Sequence, residues 1–196
     1  MTTRTILAVS DLVDDRLWSS AADLGADLVV SCGDLPNDYL EYLVVATRAP
    51  LVYVPGNHDP RQAPRGCVSV DGRVETVLGL RVGGLGGCRR YRPGPHQYTE
   101  RQMDRRARRL VRAAGGRLDV FVTHAAPAGV GDDPTENVHR GFAAFFVVLA
   151  ACHPRLMLHG HVQTYGPRPS AREWNGTPIV NAIPHRVLSL AAQVAA

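Results

Sequence analysis

Short apolar runs alternate with amphipathic stretches along the first third of the chain. Thr5 to Ser10 is an apolar run of strand length, and Asp27 to Ser31 and Leu51 to Val54 repeat it. Between them, Asp14 to Leu24 and Asp38 to Arg48 read as helices. Gly25 closes the first, and Pro50 ends the second. Strand–helix alternation with such short connections predicts a parallel sheet covered by helices. The pattern then changes. Val68 to Val70, Val74 to Leu78 and Leu80 to Leu85 are short and separated by Asp-Gly or Gly, the punctuation of hairpins and antiparallel strands. Arg89 to Gln97 is a polar loop with two prolines. Thr99 to Ala114 is a helix with Thr99 as its N-cap and Gly115-Gly116 as its stop. A strand from Leu118 to Val122, a polar loop from Gly129 to Asn137, an apolar helix from Phe142 to Ala151 and a strand from Leu156 to Leu158 follow. Ile179 to Ala182 and Val187 to Ala191 are the final strands, expected to pair with each other. No repeat, low-complexity tract or linker interrupts this order. The expectation is an α/β fold of two stacked sheets flanked by helices, in a single domain over residues 1–196.

Composition changes this picture little. A chain of 196 residues with 45% hydrophobic content buries a core without disulfides. Cys32, Cys67, Cys88 and Cys152 lack C-x-x-C spacing, which argues against a zinc knuckle and for reduced thiols. All 22 basic residues are arginine, and the net charge is +4. Arginine suits anionic substrates. So modest a charge argues against a nucleic-acid partner, and Arg101, Arg105, Arg108, Arg109 and Arg112 read as the solvated face of their helix. Gly83 to Gly87 lacks dinucleotide-fingerprint spacing and reads as a packing element. No apolar run reaches the roughly 18 residues of a membrane span, and the N-terminus passes directly into a strand pattern. A cytoplasmic location is expected. Nothing indicates an oligomeric state.

The chemistry lies where the apolar runs stop. Asp11 follows the first run, Asp34 the second, Asn57 and His58 the third, and His124 and His161 follow two later ones. Parallel strands bring their carboxyl ends to one edge of a sheet, where ligands bind. Taken singly, Asp11 or Asp34 reads as a helix cap, Asn57 as a turn residue, and His124 or His161 as a core histidine. Taken together, they form an ordered O and N donor set suited to Mn, Fe, Zn, Ni or Co. Two such ions about 3.5–4 Å apart clamp a phosphate for in-line attack. His58 sits at the edge of this set, where Asp59 is placed to orient its imidazole for proton donation to a leaving alkoxide.

The order Asp11, Gly33-Asp34, Gly56-Asn57-His58-Asp59, Thr123-His124 and Gly160-His161 resembles the calcineurin-like metallophosphoesterase family, over Ile6 to about Val187. The resemblance implies a two-sheet αββα sandwich with a dinuclear metal centre. It implies that Asp34 bridges the metals, that Asn57, His124 and His161 complete the second position, and that His58 with Asp59 stabilises the transition state or supplies a proton. The chain departs from the family pattern twice. Asp11-Leu12-Val13 stands where the family has Asp-x-His, and Gly160-His161-Val162-Gln163 where it has Gly-His-x-His. Both missing histidines belong to the first metal, which is left with Asp11, Asp34 and the amide oxygen of Gln163. Carboxylate and carbonyl donors still suit a hard ion.

The function expected is hydrolysis of a phosphomonoester or phosphodiester of a small metabolite or nucleotide, by attack of a metal-bound hydroxide. One or two divalent ions are expected, Mn, Fe, Ni or Zn, with Mn favoured. Two alternatives stay open: a scaffold protein that retains the fold without turnover, and a single-metal enzyme acting on a specialised biosynthetic intermediate. Arg89, Arg90 and Arg92 are candidates to lie over the metals and bind a second anionic group, as is the His139-Arg140 pair. His159 and His185 stand near proposed ligands without matching a family position.

Overall fold

Alternation inside each strand decides the layering. The computed structural model describes residues 2–163 and 171–192. Its first half runs β1 (Thr2–Val9), α1 (Leu17–Ser20), β2 (Leu28–Ser31), α2 (Asn37–Thr47), β3 (Leu51–Tyr53), β4 (Cys67–Ser69), β5 (Val74–Val77), β6 (Leu80–Leu85), β7 (Cys88–Arg89) and β8 (Gln97–Tyr98). The second half runs α3 (Glu100–Ala114), β9 (Val120–Thr123), α4 (Phe145–Cys152), β10 (Leu156–His159), β11 (Ala171–Trp174), β12 (Thr177–Asn181) and β13 (His185–Ala192). One sheet has the order β13-β1-β2-β3-β4 and the other β11-β12-β10-β9-β6-β5, while β7 and β8 form a separate short pair.

Ile6 and Ala8 of β1 join Val30, Val52, Val82, Val120, Val122 and Leu158 in a dry layer between the sheets. Leu7 and Val9 point the other way, onto Tyr39, Leu40 and Leu43 of α2. Phe121 and Met157 do the same on the far side, against α3 and α4. Each fully buried Val, Leu or Ile contributes roughly 1.5–3 kcal/mol. The result is a mixed α/β fold of two sheets with helices outside, as expected. Helix α3 begins with a capping box, in which Thr99 and Gln102 satisfy each other's backbone N–H groups, and stops at Gly115. The five arginines named on its sequence are exposed. No helix among the described residues is long and apolar enough to cross a membrane.

Three expectations about elements need correction. The last two strands do not pair with each other: β12 lies parallel to β10 in one sheet, and β13 runs antiparallel to β1 over its whole length in the other. Their partners lie far away in sequence, where local pattern carries no information. β4 is not a hairpin strand but continues the first sheet parallel to β3; only β5 and β6 form the hairpin. The region expected as a helix from Asp14 is α1 followed by a 3-10 turn at Ala21–Leu24. Asp14 spends its carboxylate on Arg16 and on the His185 ring instead.

Candidate metal centre

β1, β2 and β3 are mutually parallel in one sheet, and β9 and β10 are parallel in the other. Their carboxyl ends bring Asp11, Asp34, His124 and His161 together, with one donor atom of each within 4.8 Å of the others. Three of these four residues have left-handed backbones: Asp11 at φ 60°, Asp34 at 57° and His161 at 66°. A non-glycine residue there costs about 1–3 kcal/mol, and such strain is commonly held at functional sites. The surrounding chain enforces it by close packing. A Cβ on Gly56 would lie 2.0 Å from Asp34 Oδ1, and one on Gly160 only 1.9 Å from Ser10 Oγ. Only glycine lets these loops approach the carboxylates.

Each donor is held by a second contact. Asp11 Oδ2 accepts from the Ser10 hydroxyl at 2.6 Å and from the His161 N–H at 2.8 Å. Asp34 Oδ1 accepts from the His58 N–H at 2.7 Å. His124 Nδ1 lies 2.8 Å from the Cys32 carbonyl, and His161 Nε2 lies 2.7 Å from the Val138 carbonyl. A carbonyl only accepts, so these nitrogens carry protons, and a metal ion would take the place of any proton on the other nitrogen of each ring. Metal-ligating histidines are anchored in this way. Two carboxylates and two imidazoles oriented by carbonyls therefore fit a divalent ion of the borderline class.

The protonation balance reflects the same crowding. Burial pushes the Asp11 carboxyl up, more strongly than the nearby His124 charge lowers it. Burial also pushes Asp34 upward, but the His124 hydrogen bond and charge and the His58 N–H together hold it below the usual carboxylate range. Burial alone would depress the His124 imidazole; its bond to Asp34 and the two aspartate charges outweigh that and lift it to about 9. For His161, burial and the neighbouring His124 charge outweigh the Val138 carbonyl and Asp34, and the imidazole falls to about 3.

Asp11, Asp34 and His161 line a cleft of about 710 Å³, with Asn57, His58, Tyr91, Asp133, Glu136, Val138, His139, Val162 and Gln163, while His124 is fully buried behind them. Asn57 is buried, with Oδ1 3.1 Å from His124 Nε2. Gln163 reaches the cleft wall. His58 is exposed and faces the cleft, but Asp59 does not orient it. The Asp59 carboxylate accepts from the Leu35 N–H at 3.2 Å and the Gly56 N–H at 2.8 Å, and among the described residues no hydrogen bond joins it to the His58 ring. Asp59 braces two strand-end loops against each other, because the turn that exposes His58 leaves the next side chain pointing inward. Val13, at the position of a family histidine, is solvent-exposed and does not line the cleft.

Other candidates fall elsewhere. His159 is buried, with Nδ1 3.0 Å from the Gly160 carbonyl, and burial depresses its imidazole to about 4. His185 is engaged by Asp14 at 2.8 Å. Neither lines the cleft, nor do Arg89, Arg90 and Arg92. Tyr91, from the same loop, lines it instead, and its place between arginines hid it from sequence reasoning. His139 reaches the cleft, while Arg140 bonds the Pro134 carbonyl.

Residues 5–165 match the sequence profile of a family described as calcineurin-like phosphoesterase. No curated protein matches the chain significantly. Among solved structures, TT1561 of Thermus thermophilus is 21% identical, with 92% of this chain and 89% of that chain aligned at a TM-score of 0.68. Another crystal structure, 15% identical, aligns over 98% of this chain and 100% of that chain at a TM-score of 0.67. At these identities the likeness speaks to the fold.

Proposed function

Because this chain belongs to the calcineurin-like phosphoesterase family, whose members are metal-dependent, we propose that it is itself a phosphoesterase acting on a small phosphorylated metabolite or nucleotide. The observation that carries this reading is the convergence of Asp11, Asp34, His124 and His161 beside an open cleft that Asp11, Asp34 and His161 line. We assign Asp11, Asp34, His124 and His161 as ligands, with Asn57 and Gln163 adding amide oxygens from the cleft wall. When bound, a divalent ion supplies Lewis-acid charge to the phosphate and lowers the pKa of water. Manganese is the favoured ion, since the carboxylate and amide donors at the weakened position suit it.

The remaining work belongs to the side chains. Asp34 takes the central place, as its Oδ1 is braced by the His58 N–H and its Oδ2 lies 3.3 Å from His124 Nε2. Cys32 and Val138 orient the two imidazoles through their carbonyls. His58, exposed at the cleft wall, delivers a proton to the leaving alkoxide. Asp59 supports this indirectly, by fixing the loop on which His58 rides.

A second reading is a single-ion enzyme. The exposed Val13, lying off the cleft wall where a ligand would stand, favours it. Elemental analysis of the purified protein, with turnover of bis-p-nitrophenyl phosphate in added Mn, tests both readings. One or two ions per chain with Mn-stimulated turnover is the expected result, and the count decides between one position and two. No metal and no turnover with Mn, Fe, Ni or Zn would overturn the phosphoesterase reading in favour of a non-catalytic protein.

A further inference from the structure

β7 and the loop from it to β8 carry three arginines, and none of them lines the cleft. Arg89 bonds Glu100 at 3.0 Å, Arg90 reaches Gln102 at 3.2 Å, and the Arg92 guanidinium lies 5.4 Å from the Tyr91 ring centroid. What the loop presents to the cleft is Tyr91. Its position is built rather than incidental. Its backbone N–H and that of Arg92 donate to Oε1 of the buried Gln97, at 3.3 and 3.2 Å, and its ring packs on the core under α3 and α4.

At its tip, the Tyr91 hydroxyl accepts from Asn57 Nδ2 at 3.3 Å. An amide nitrogen only donates, so this bond leaves the hydroxyl proton unspent. The same bond orients the Asn57 amide with Oδ1 toward His124. Asp133 and Glu136 also line the cleft, and among the described residues that line it there is no arginine. Beside the imidazoles of His58 and His139, the substrate end therefore offers a neutral hydroxyl donor and two carboxylates, of which Glu136 is hydrogen-bonded to His139 Nδ1.

A phosphomonoester carries close to two negative charges near neutral pH, because its second pKa is about 6, whereas a phosphodiester carries one. Repulsion from a fixed carboxylate scales with that charge. Resting on the phosphoesterase reading, we infer that the substrate is a phosphodiester monoanion, that Tyr91 donates a hydrogen bond to its non-bridging oxygen, and that Asp133 and Glu136 disfavour dianionic monoesters. Hydrolysis joins a water oxygen to phosphorus, breaks one P–O ester bond and transfers one water proton to the leaving alkoxide. The products are an alcohol and a monoester. The monoester then takes on its second charge and is repelled by the same wall, which favours release.

The test compares the wild-type protein with Tyr91→Phe and Glu136→Gln on bis-p-nitrophenyl phosphate and p-nitrophenyl phosphate, with metal content measured in each preparation. Calorimetric binding of diethyl phosphate and monoethyl phosphate at pH 8 gives a readout independent of turnover. Wild type is expected to favour the diester by at least about tenfold in kcat/KM, and diethyl over monoethyl phosphate in affinity. Tyr91→Phe keeps its metal but loses about 10- to 100-fold in diester kcat/KM, the range for one hydrogen bond to a charged group. Glu136→Gln narrows the gap by raising monoester turnover. A wild-type preference for the monoester, or a Tyr91→Phe variant equal to wild type, overturns this inference and leaves the phosphoesterase reading standing. An unchanged ratio in Glu136→Gln overturns the role of the acidic wall. A metal-loaded wild type that hydrolyses neither ester overturns the phosphoesterase reading itself.

Discussion

Adding one methyl group at Gly160 should damage both the fold and the metal centre. A Cβ there would lie 1.9 Å from Ser10 Oγ, 2.4 Å from Asp11 Oδ2 and 2.8 Å from Ser10 Cβ. Ser10 is fully buried and cannot swing into solvent. Its hydroxyl serves Asp11 Oδ2 at 2.6 Å and faces the Gly33 carbonyl at 3.2 Å. To admit the methyl group, that hydroxyl must leave both acceptors and the Asp11 carboxylate must shift. Overpacking costs about 1–3 kcal/mol, and a buried polar group left unsatisfied about 1–3 kcal/mol more. For a chain of 196 residues, each kcal/mol lowers Tm by about 2–4 °C. Gly160→Ala should therefore melt at least about 5 °C below wild type with EDTA present, so that the loss is intrinsic to the fold. Its metal content after dialysis into Mn should also fall. The double variant with Ser10→Ala removes one clashing atom, so its destabilisation should be smaller than the sum of the two single changes. A Gly160→Ala protein that melts with wild type in EDTA would refute the packing described here.

Other consequences follow from single contacts. Asp34→Asn should abolish metal binding and turnover together, because the carboxylate lies at the centre of the donor set; metal content near wild type by elemental analysis would sink its proposed role. The Arg16 hydrogen bond holds the Asp14 carboxyl well below the usual carboxylate range, with His185 adding to it and partial burial opposing. A depressed folded-state pKa stabilises above the unfolded value near 4 and is lost as pH falls toward the folded one. Asp14→Asn should thus be less stable than wild type in urea at pH 7, and the gap should shrink below about pH 4; a gap that widens on acidification would reverse the sign. Arg106 bonds Asp71 and the Gly86 carbonyl and lies 4.2 Å from the Tyr98 ring centroid. Arg106→Met should cost about 1–3 kcal/mol in urea melts, and Arg106→Lys should recover only part of it, since an ammonium cannot fork and stack as a guanidinium does; full recovery by lysine would reduce the interaction to charge alone.

The sequence by itself determined the layers and the donor set. The unbroken apolar run of β1 stated that the strand is buried, and the structure set Ile6 and Ala8 between the sheets and Leu7 and Val9 against α2. Once successive strands are parallel, the residue after each one arrives at the same edge, so Asp11, Asp34, Asn57, His124 and His161 could be named from chain order. Helix α3 was equally legible, because capping by Thr99 and Gly115 is local chemistry. Tertiary structure alone decided what depends on segments distant in sequence. It placed β13 beside β1, joining Leu7 to Val187 across the first sheet. It gave the Asp59 carboxylate to backbone N–H groups of two loops, so that adjacency to His58 did not make it a partner. It turned Tyr91 into the cleft and its neighbouring arginines away. It also drew Arg106, one of many arginines on its helix, in to Asp71. Periodicity and capping act over a few residues and leave a trace in composition. A side chain's partner is chosen by whichever surface the folded chain brings against it, and that choice leaves no local trace.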